Sequence, residues 1–378
     1  MNSKQTIIFT VTTDLSYDQR MQRICTSLAN DGYKVLLVGR IKKKSIPLTP
    51  QLFQQKRLNC LFEKGKLFYV AYNLRLLIYL LFKKTDAICA IDLDSILPCY
   101  IVSALRKKIR IYDAHELFCE MKEIATRPAI YKVWKAIEKY TVPKFTKGYT
   151  VNQPIADEFK ALYGVNYAVV RNIALYRETT AALSEDVNDI IAPGEKFLLY
   201  QGSVNQGRCF ETLIPAMKNV GCRLIICGEG NFMEQTKALV ALHHVEDKVI
   251  FMGNVPPDKL RAITRIAYAG ITLFDEAGKS NYYSLANRFF DYLQAGIPQL
   301  CVGYPVYEEI NNQYPIALLV NDLGSTNLAL QLNNLLNDGF LYKRLAEGCK
   351  QAKLVFNWQE EEKKLLAFYK TLWLSKLL

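Results

Sequence analysis

The 378 residues, half of them apolar and 22% charged, supply enough material for two hydrophobic cores of ordinary domain size, which excludes a single small module. The formal charge of +12 is uneven: residues 1–170 carry 27 basic and 14 acidic side chains, a surplus of +13, whereas 171–378 carry 21 and 22. No RRM, KH or zinc-finger pattern accompanies the charge, so nucleic acid is not the expected partner; an anionic lipid surface or a phosphate-bearing acceptor competes with plain solvation of a lysine-rich face.

The first twelve residues lead straight into a β-branched run, with no basic segment followed by the apolar stretch of a signal peptide. The expectation is a cytoplasmic chain, peripheral at the inner face of a membrane if the basic half binds lipid. Short apolar runs then alternate with helical patterns, the signature of parallel sheets wrapped by helices. One set of strands is predicted at 6–12, 35–38, 87–91, 110–112, 148–151 and 168–170. A second follows at 197–200, 223–227, 249–252, 269–274, 299–302 and 317–320. The longest apolar stretch, 67–82, is interrupted by Asn73 and Arg75; it is too short and polar to span a bilayer and suits an interfacial or core helix. Polar, acidic residues 172–194 read as a hinge. The organisation expected is α/β, with two Rossmann-like domains at 1–172 and 173–357 whose parallel sheets face across a cleft. A helix at 358–378 is expected to pack back on the first domain.

Ligands of open α/β sheets bind beyond the carboxyl ends of strands, so the residues after each run matter most. In the first half these include Asp14, Asp92, Asp94, Asp113, His115 and Glu116; in the second, Gly202, Ser203, Gly228, Glu229, Gly230 and Asp275. The loop 201–208 leads into a helix near Phe210, where its glycines would let backbone amides approach a phosphate and Arg208 would grip it. The segment 281–292 reads as a polar loop opening a second helix. Its first amides, near Ser284, Leu285 and Asn287, could hold a diphosphate while Asp291 accepts from ribose hydroxyls. The bland alternative is a solvated helix capped by Ser284. The ten cysteines form no C-x-x-C pair and read as reduced core residues, and no His, Cys and carboxylate set has metal-ligand spacing.

The succession Gly202, Arg208, Gly228-Glu229-Gly230, Ser284-Leu285, Asn287, Asp291 and Gly296-Ile297-Pro298 resembles the donor domain of GT-B glycosyltransferases of the family 4 type. Thr13-Asp14-Leu15, Asp18-Gln19-Arg20, Asp92-Leu93-Asp94 and 112–117 resemble the acceptor domain of its bacterial polysaccharide and lipopolysaccharide members. The resemblance implies a nucleotide-sugar donor, a saccharide or lipid-linked acceptor and retention of anomeric configuration. It gives Arg208 to the phosphates, Gly228 to Gly230 to the nucleotide, Asp291 to the ribose and His115 to the transferred sugar. Three positions depart from the pattern: Tyr283 stands where a glutamate is common, Ser203 where a basic residue is, and Ala286 where proline is.

Asp14, Asp18 and Asp94 are the candidates to orient the acceptor hydroxyl, against helix capping as the alternative. The departing diphosphate would be stabilised by Arg208 and helix amides, with no metal and no cofactor beyond the nucleotide-sugar substrate. Two rivals stay open, a nucleotide-sugar 2-epimerase on the same fold and a non-catalytic nucleotide-sugar-binding partner subunit. A dinucleotide-linked enzyme is disfavoured, because no G-x-G-x-x-G follows the first strand.

Overall fold

Each half of the chain winds alternating strands and helices around its own all-parallel sheet. The structure, a computed structural model, describes residues 5–16, 18–63, 65–177, 191–192, 194–276 and 278–374; most of the expected hinge at 172–194 lies outside them. Contacts divide the chain into two units, residues 1–172 with 361–378, and residues 173–360.

In the first unit the strands are β1 (Thr6–Thr10), β2 (Lys34–Arg40), β3 (Gln54–Leu58), β4 (Ala87–Ile91), β5 (Ile109–Ala114), β6 (Gly148–Thr150) and β7 (Ala168–Val169), in the order β3-β2-β1-β4-β5-β6-β7. In the second they are β8 (Phe197–Gln201), β9 (Arg223–Cys227), β10 (Val249–Gly253), β11 (Ala269–Thr272), β12 (Gln299–Val302) and β13 (Ala317–Val320), ordered β10-β9-β8-β11-β12-β13. The strand β3 was not anticipated, since Gln-Gln-Lys-Arg-Leu carries one apolar residue and sits at the sheet edge, where only one side needs a partner. The runs expected to reach residues 12 and 274 stop as strands at Thr10 and Thr272, and their last residues turn into the rim.

Both faces of the second sheet are covered, which is why its strands read as continuous apolar runs. Leu198, Tyr200, Leu224 and Ile226 enter one core, and Phe197, Leu199, Ile225 and Cys227 the other, following the two-residue alternation of a strand. Each fully buried aliphatic side chain of this kind contributes about 1.5–3 kcal/mol.

The last helix, Trp358–Leu374, completes the first unit from Glu361 onward. Glu361 accepts from the Arg171 backbone amide at 2.9 Å, and buried Tyr369 packs within 6.3 Å of the rings of Phe9, Tyr33 and Tyr149.

Candidate functional site

The strand orders reverse direction at β1 and β4 in the first unit and at β8 and β11 in the second, and such switch points open a crevice at the carboxyl ends. Gly202 follows β8, while Phe274 and Asp275 lie just past β11. The guanidinium carbons of Arg208 and Arg288 lie 4.4 Å and 4.8 Å from the Phe274 ring centroid. Arg288 also lies 4.4 Å from the Tyr200 ring, donates from Nη1 to the Gln201 carbonyl at 3.2 Å, and is only 7% exposed. Among the described residues neither guanidinium pairs with a carboxylate. Burial and then the Arg288 charge lower the Arg208 pKa. Two desolvated cations sharing one ring are costly unless an anion joins them.

Asp291 lies in the helix Asn287–Ala295, and its Oδ2 accepts from Gln201 Nε2 at 2.8 Å. Gln201, at the end of β8, is a buried hub: its Oε1 accepts from Thr264 at 2.7 Å and its backbone amide donates to Tyr292 Oη at 3.1 Å. Through one residue the structure ties the Arg288 guanidinium to the Asp291 carboxylate. Sequence reading missed both Gln201 and Arg288. A glutamine closing an apolar run and an arginine in an amphipathic helix look ordinary until the tertiary packing buries them.

The expected polar loop contains a helical turn of its own, Lys279–Tyr282, before the helix begins at Asn287. Ser284 is therefore not its cap. Ala286 holds that position without a side-chain hydrogen bond and donates its own amide to Tyr307 Oη at 3.0 Å. The Ser284 hydroxyl is buried beside that tyrosine, Leu285 packs on the core, and Asn287 is exposed. Tyr283 lies against Tyr282, ring centroids 5.3 Å apart.

The glycine-rich turn has a packing reason. A Cβ on Gly228 would meet the Gly202 carbonyl at 1.9 Å, and one on Gly230 the Val204 carbonyl at 2.1 Å. These glycines let the turns after β8 and β9 lie backbone to backbone, with Val204 N donating to Glu229 O at 3.1 Å. Ser203 and the Glu229 side chain are exposed beside them. Gly202, at φ 120°, would place a Cβ 3.6 Å from Arg288 Nη1, so it borders the basic pair.

In the first unit the site is built on balanced charge. His115, 24% exposed, sets Nδ1 3.5 Å from Asp92 Oδ2 and Nε2 3.2 Å from Asp113 Oδ2. Arg20, almost fully buried, donates from Nη2 to Asp113 Oδ1 and from Nε toward His115 Nε2, both at 2.9 Å. Nε2 thus accepts from arginine when the ring is neutral and donates to Asp113 when it is charged. Burial opposes the charged ring, but Asp113 and Asp92 raise its pKa to about 9. Burial likewise opposes ionisation of Asp113, and Arg20 and His115 overcome it, holding the carboxyl below its ordinary value. Asp92 accepts from the His115 amide at 2.8 Å from a backbone at φ 54°, a strained conformation for a residue with a Cβ.

Asp94 joins this cluster. It accepts from Thr12 Oγ1, and burial followed by the Asp92 charge pushes it up to about 7. Glu116, pushed up to about 7 by burial and Asp92, borders the same site. The other two acceptor candidates do not join it. Asp14 is buried, held by Ser45, by Arg57 Nη1 at 3.3 Å and by the Ser16 amide at 3.1 Å, so its carboxylate is engaged inside the fold. Asp18 caps the helix Gln19–Asn30 by accepting from Met21 N at 3.1 Å, with Thr13 Oγ1 at 2.9 Å. No group of three or more His, Cys, Asp or Glu suited to a metal ion occurs among the described residues.

Residues 185–352 match the family of glycosyl transferases group 1. A comparison with curated proteins finds no significant match in sequence. Solved structures align along nearly the whole chain. A sucrose-phosphate synthase from Thermosynechococcus elongatus superposes with a TM-score of 0.76 at 16% identity, covering 98% of this chain and 100% of that one. The Anabaena protein HepE in complex with UDP-glucose gives 0.75 at 10% identity over 97% and 100%. WaaG, a glycosyltransferase involved in lipopolysaccharide biosynthesis, gives 0.71 at 14% identity over 95% and 98%. At these identities the likeness is one of fold.

Proposed function

We propose, for a chain that is a GT-B glycosyltransferase with a group 1 domain at residues 185–352, that the second unit grips the diphosphate of a nucleotide-sugar through Arg208 and Arg288 and the first unit binds a saccharide or lipid-linked acceptor. The observation carrying this reading is the basic pair on Phe274, which has no carboxylate ion-pair partner among the described residues, with the nearby Asp275 the only carboxylate whose charge favours Arg208, and which sits at the switch point of its sheet. Amides at the start of the helix Asn287–Ala295 add to the grip, and Asp291, oriented by Gln201, accepts from ribose hydroxyls.

In the transfer, the bond from the anomeric carbon to the diphosphate oxygen breaks and its electron pair leaves with the diphosphate. The acceptor oxygen bonds to that carbon, and its proton passes to the departing diphosphate oxygen. The two guanidiniums stabilise the negative charge that grows on the leaving group, so no metal is required, and the reaction retains configuration. His115 contacts the transferred sugar, and Asp94 orients the acceptor hydroxyl. The product belongs to cell-surface polysaccharide, and the basic first unit works against an anionic membrane surface.

Thermal-shift screening against UDP, GDP, ADP and their sugar conjugates tests the donor site, because a ligand that binds the native state raises the melting temperature. One nucleoside diphosphate is expected to give a clear shift that falls in Arg208→Ala and Asp291→Ala. Equal shifts in wild type and both variants refute the assignment. Tyr283, where the resembling enzymes carry glutamate, favours a second reading as a non-catalytic partner subunit: donor binding with no turnover on any acceptor reveals it. Change of the donor alone, without an acceptor, reveals an epimerase.

A further inference from the structure

The helix Gly65–Leu81 is anchored to the first unit by Phe68, Tyr72, Leu76 and Leu80, all buried, with the Tyr72 hydroxyl donating to the Val11 carbonyl. The opposite face of an ordinary surface helix would be polar. Here Leu67, Val70, Leu74 and Ile78 stand between 50% and 66% exposed, and Leu81 and Phe82 continue the row, Phe82 at 83%. At 100° per residue the positions from 67 to 81 fall within an arc of about 80°. Lys66 and Arg75 flank that arc on either side, and Lys83 and Lys84 close its end. No acidic residue occurs between Glu63 and Asp86. The adjoining helix, Ile96–Leu105, adds exposed Leu105 and leads into Arg106, Lys107 and Lys108.

We infer that this stripe is a membrane-docking surface, on which Leu67, Val70, Leu74, Ile78 and Phe82 enter the headgroup and acyl boundary while the flanking cations meet anionic lipid. The inference deepens the membrane part of the proposed function and stands apart from the donor site. An apolar stripe with basic flanks is the composition of a helix lying in the interface plane. The helix spans about 25 Å, short of the roughly 30 Å hydrocarbon core, and no described helix is long and apolar enough to cross a membrane. A second copy of the chain is a poor occupant. A two-fold contact on this face would set lysine and arginine rims against each other with no acidic counterpart in the segment.

The test is co-sedimentation of the full chain with phosphatidylcholine vesicles, with and without about one third phosphatidylglycerol, at low and high salt. Binding is expected on the anionic vesicles, weaker at high salt. It should fall at least ten-fold in Leu74→Asp/Ile78→Asp and several-fold in Lys83→Ala/Lys84→Ala. Both variants should keep the wild-type melting temperature and the full thermal shift with nucleoside diphosphate, which separates this surface from the donor site. The inference is overturned if both variants bind like wild type, if neutral vesicles bind as well as anionic ones, or if the stripe holds a dimer that Leu74→Asp/Ile78→Asp dissociates.

Discussion

The two switch points of the molecule handle buried charge in opposite ways. In the first unit Arg20 and His115 lie among Asp92 and Asp113, and positive charge is answered within the protein. In the second, Arg208 and Arg288 share Phe274 with no carboxylate partner among the described residues. A closed charge network holds its own shape and offers hydrogen bonds to neutral hydroxyls. An open one, where the nearby Asp275 is the only carboxylate whose charge eases Arg208, stores electrostatic cost that an incoming anion relieves.

The contrast breaks most sharply on arginine removal. Arg20→Ala strips the counter-charge from fully buried Asp113 and should destabilise the protein by about 3–5 kcal/mol in urea unfolding. Arg208→Gln relieves repulsion at Arg288, so it should leave the unliganded melting temperature unchanged or higher. The same change should weaken nucleoside diphosphate binding about 100-fold by calorimetry, as expected for loss of a charge-assisted contact worth about 1.5–3 kcal/mol. Destabilisation by both substitutions alike would erase the distinction.

Titration sharpens it further. The folded-state pKa of His115, about 9, lies above the ordinary value of 6.5, so the native state holds that proton more tightly than the unfolded chain. The stability this brings is complete below about pH 6.5 and is lost as pH rises through about 9. Asp94 and Glu116, each raised to about 7, act with the same sign and lose their contribution as pH rises through that value. Melting temperature should therefore fall in two stages, one as pH rises toward about 7 and one as it rises through about 9. His115→Gln should remove the upper stage and push the lower one to higher pH, because the His115 charge holds the Asp94 and Glu116 pKa values down.

Smallest is the effect at the helix cap. Asp18→Ala should cost about 1 kcal/mol without changing the KM for acceptor, since its carboxylate serves Met21 N.

The pattern of the chain carried the fold a long way, because strands buried on both faces read as apolar runs whatever they pack against. What escaped was set by contacts remote in sequence. Arg57, on the polar strand β3 that the pattern did not mark, reaches Asp14 and turns a rim carboxylate into an internal tie. Nothing in the pattern of its own helix marks Arg288 for burial, which comes from its packing against Tyr200 and Phe274. Gly228 and Gly230, which the resemblance gives to the nucleotide, also have a packing role that the chain pattern did not reveal, since the Gly202 and Val204 carbonyls lie where a Cβ would stand. Conversely, Asp92, Asp94, Asp113 and His115 could be placed in one rim from strand ends alone, because parallel neighbours β4 and β5 bring their carboxyl ends side by side.

If the guanidinium pair on Phe274 is a diphosphate grip, the direct measurement compares a nucleoside with its own diphosphate by calorimetry, using the base that gives the largest thermal shift. The diphosphate should bind at least about 100-fold tighter, with that gain lost in Arg208→Ala/Arg288→Ala while nucleoside binding stays the same. Equal affinity of nucleoside and diphosphate for the wild-type protein would contradict it.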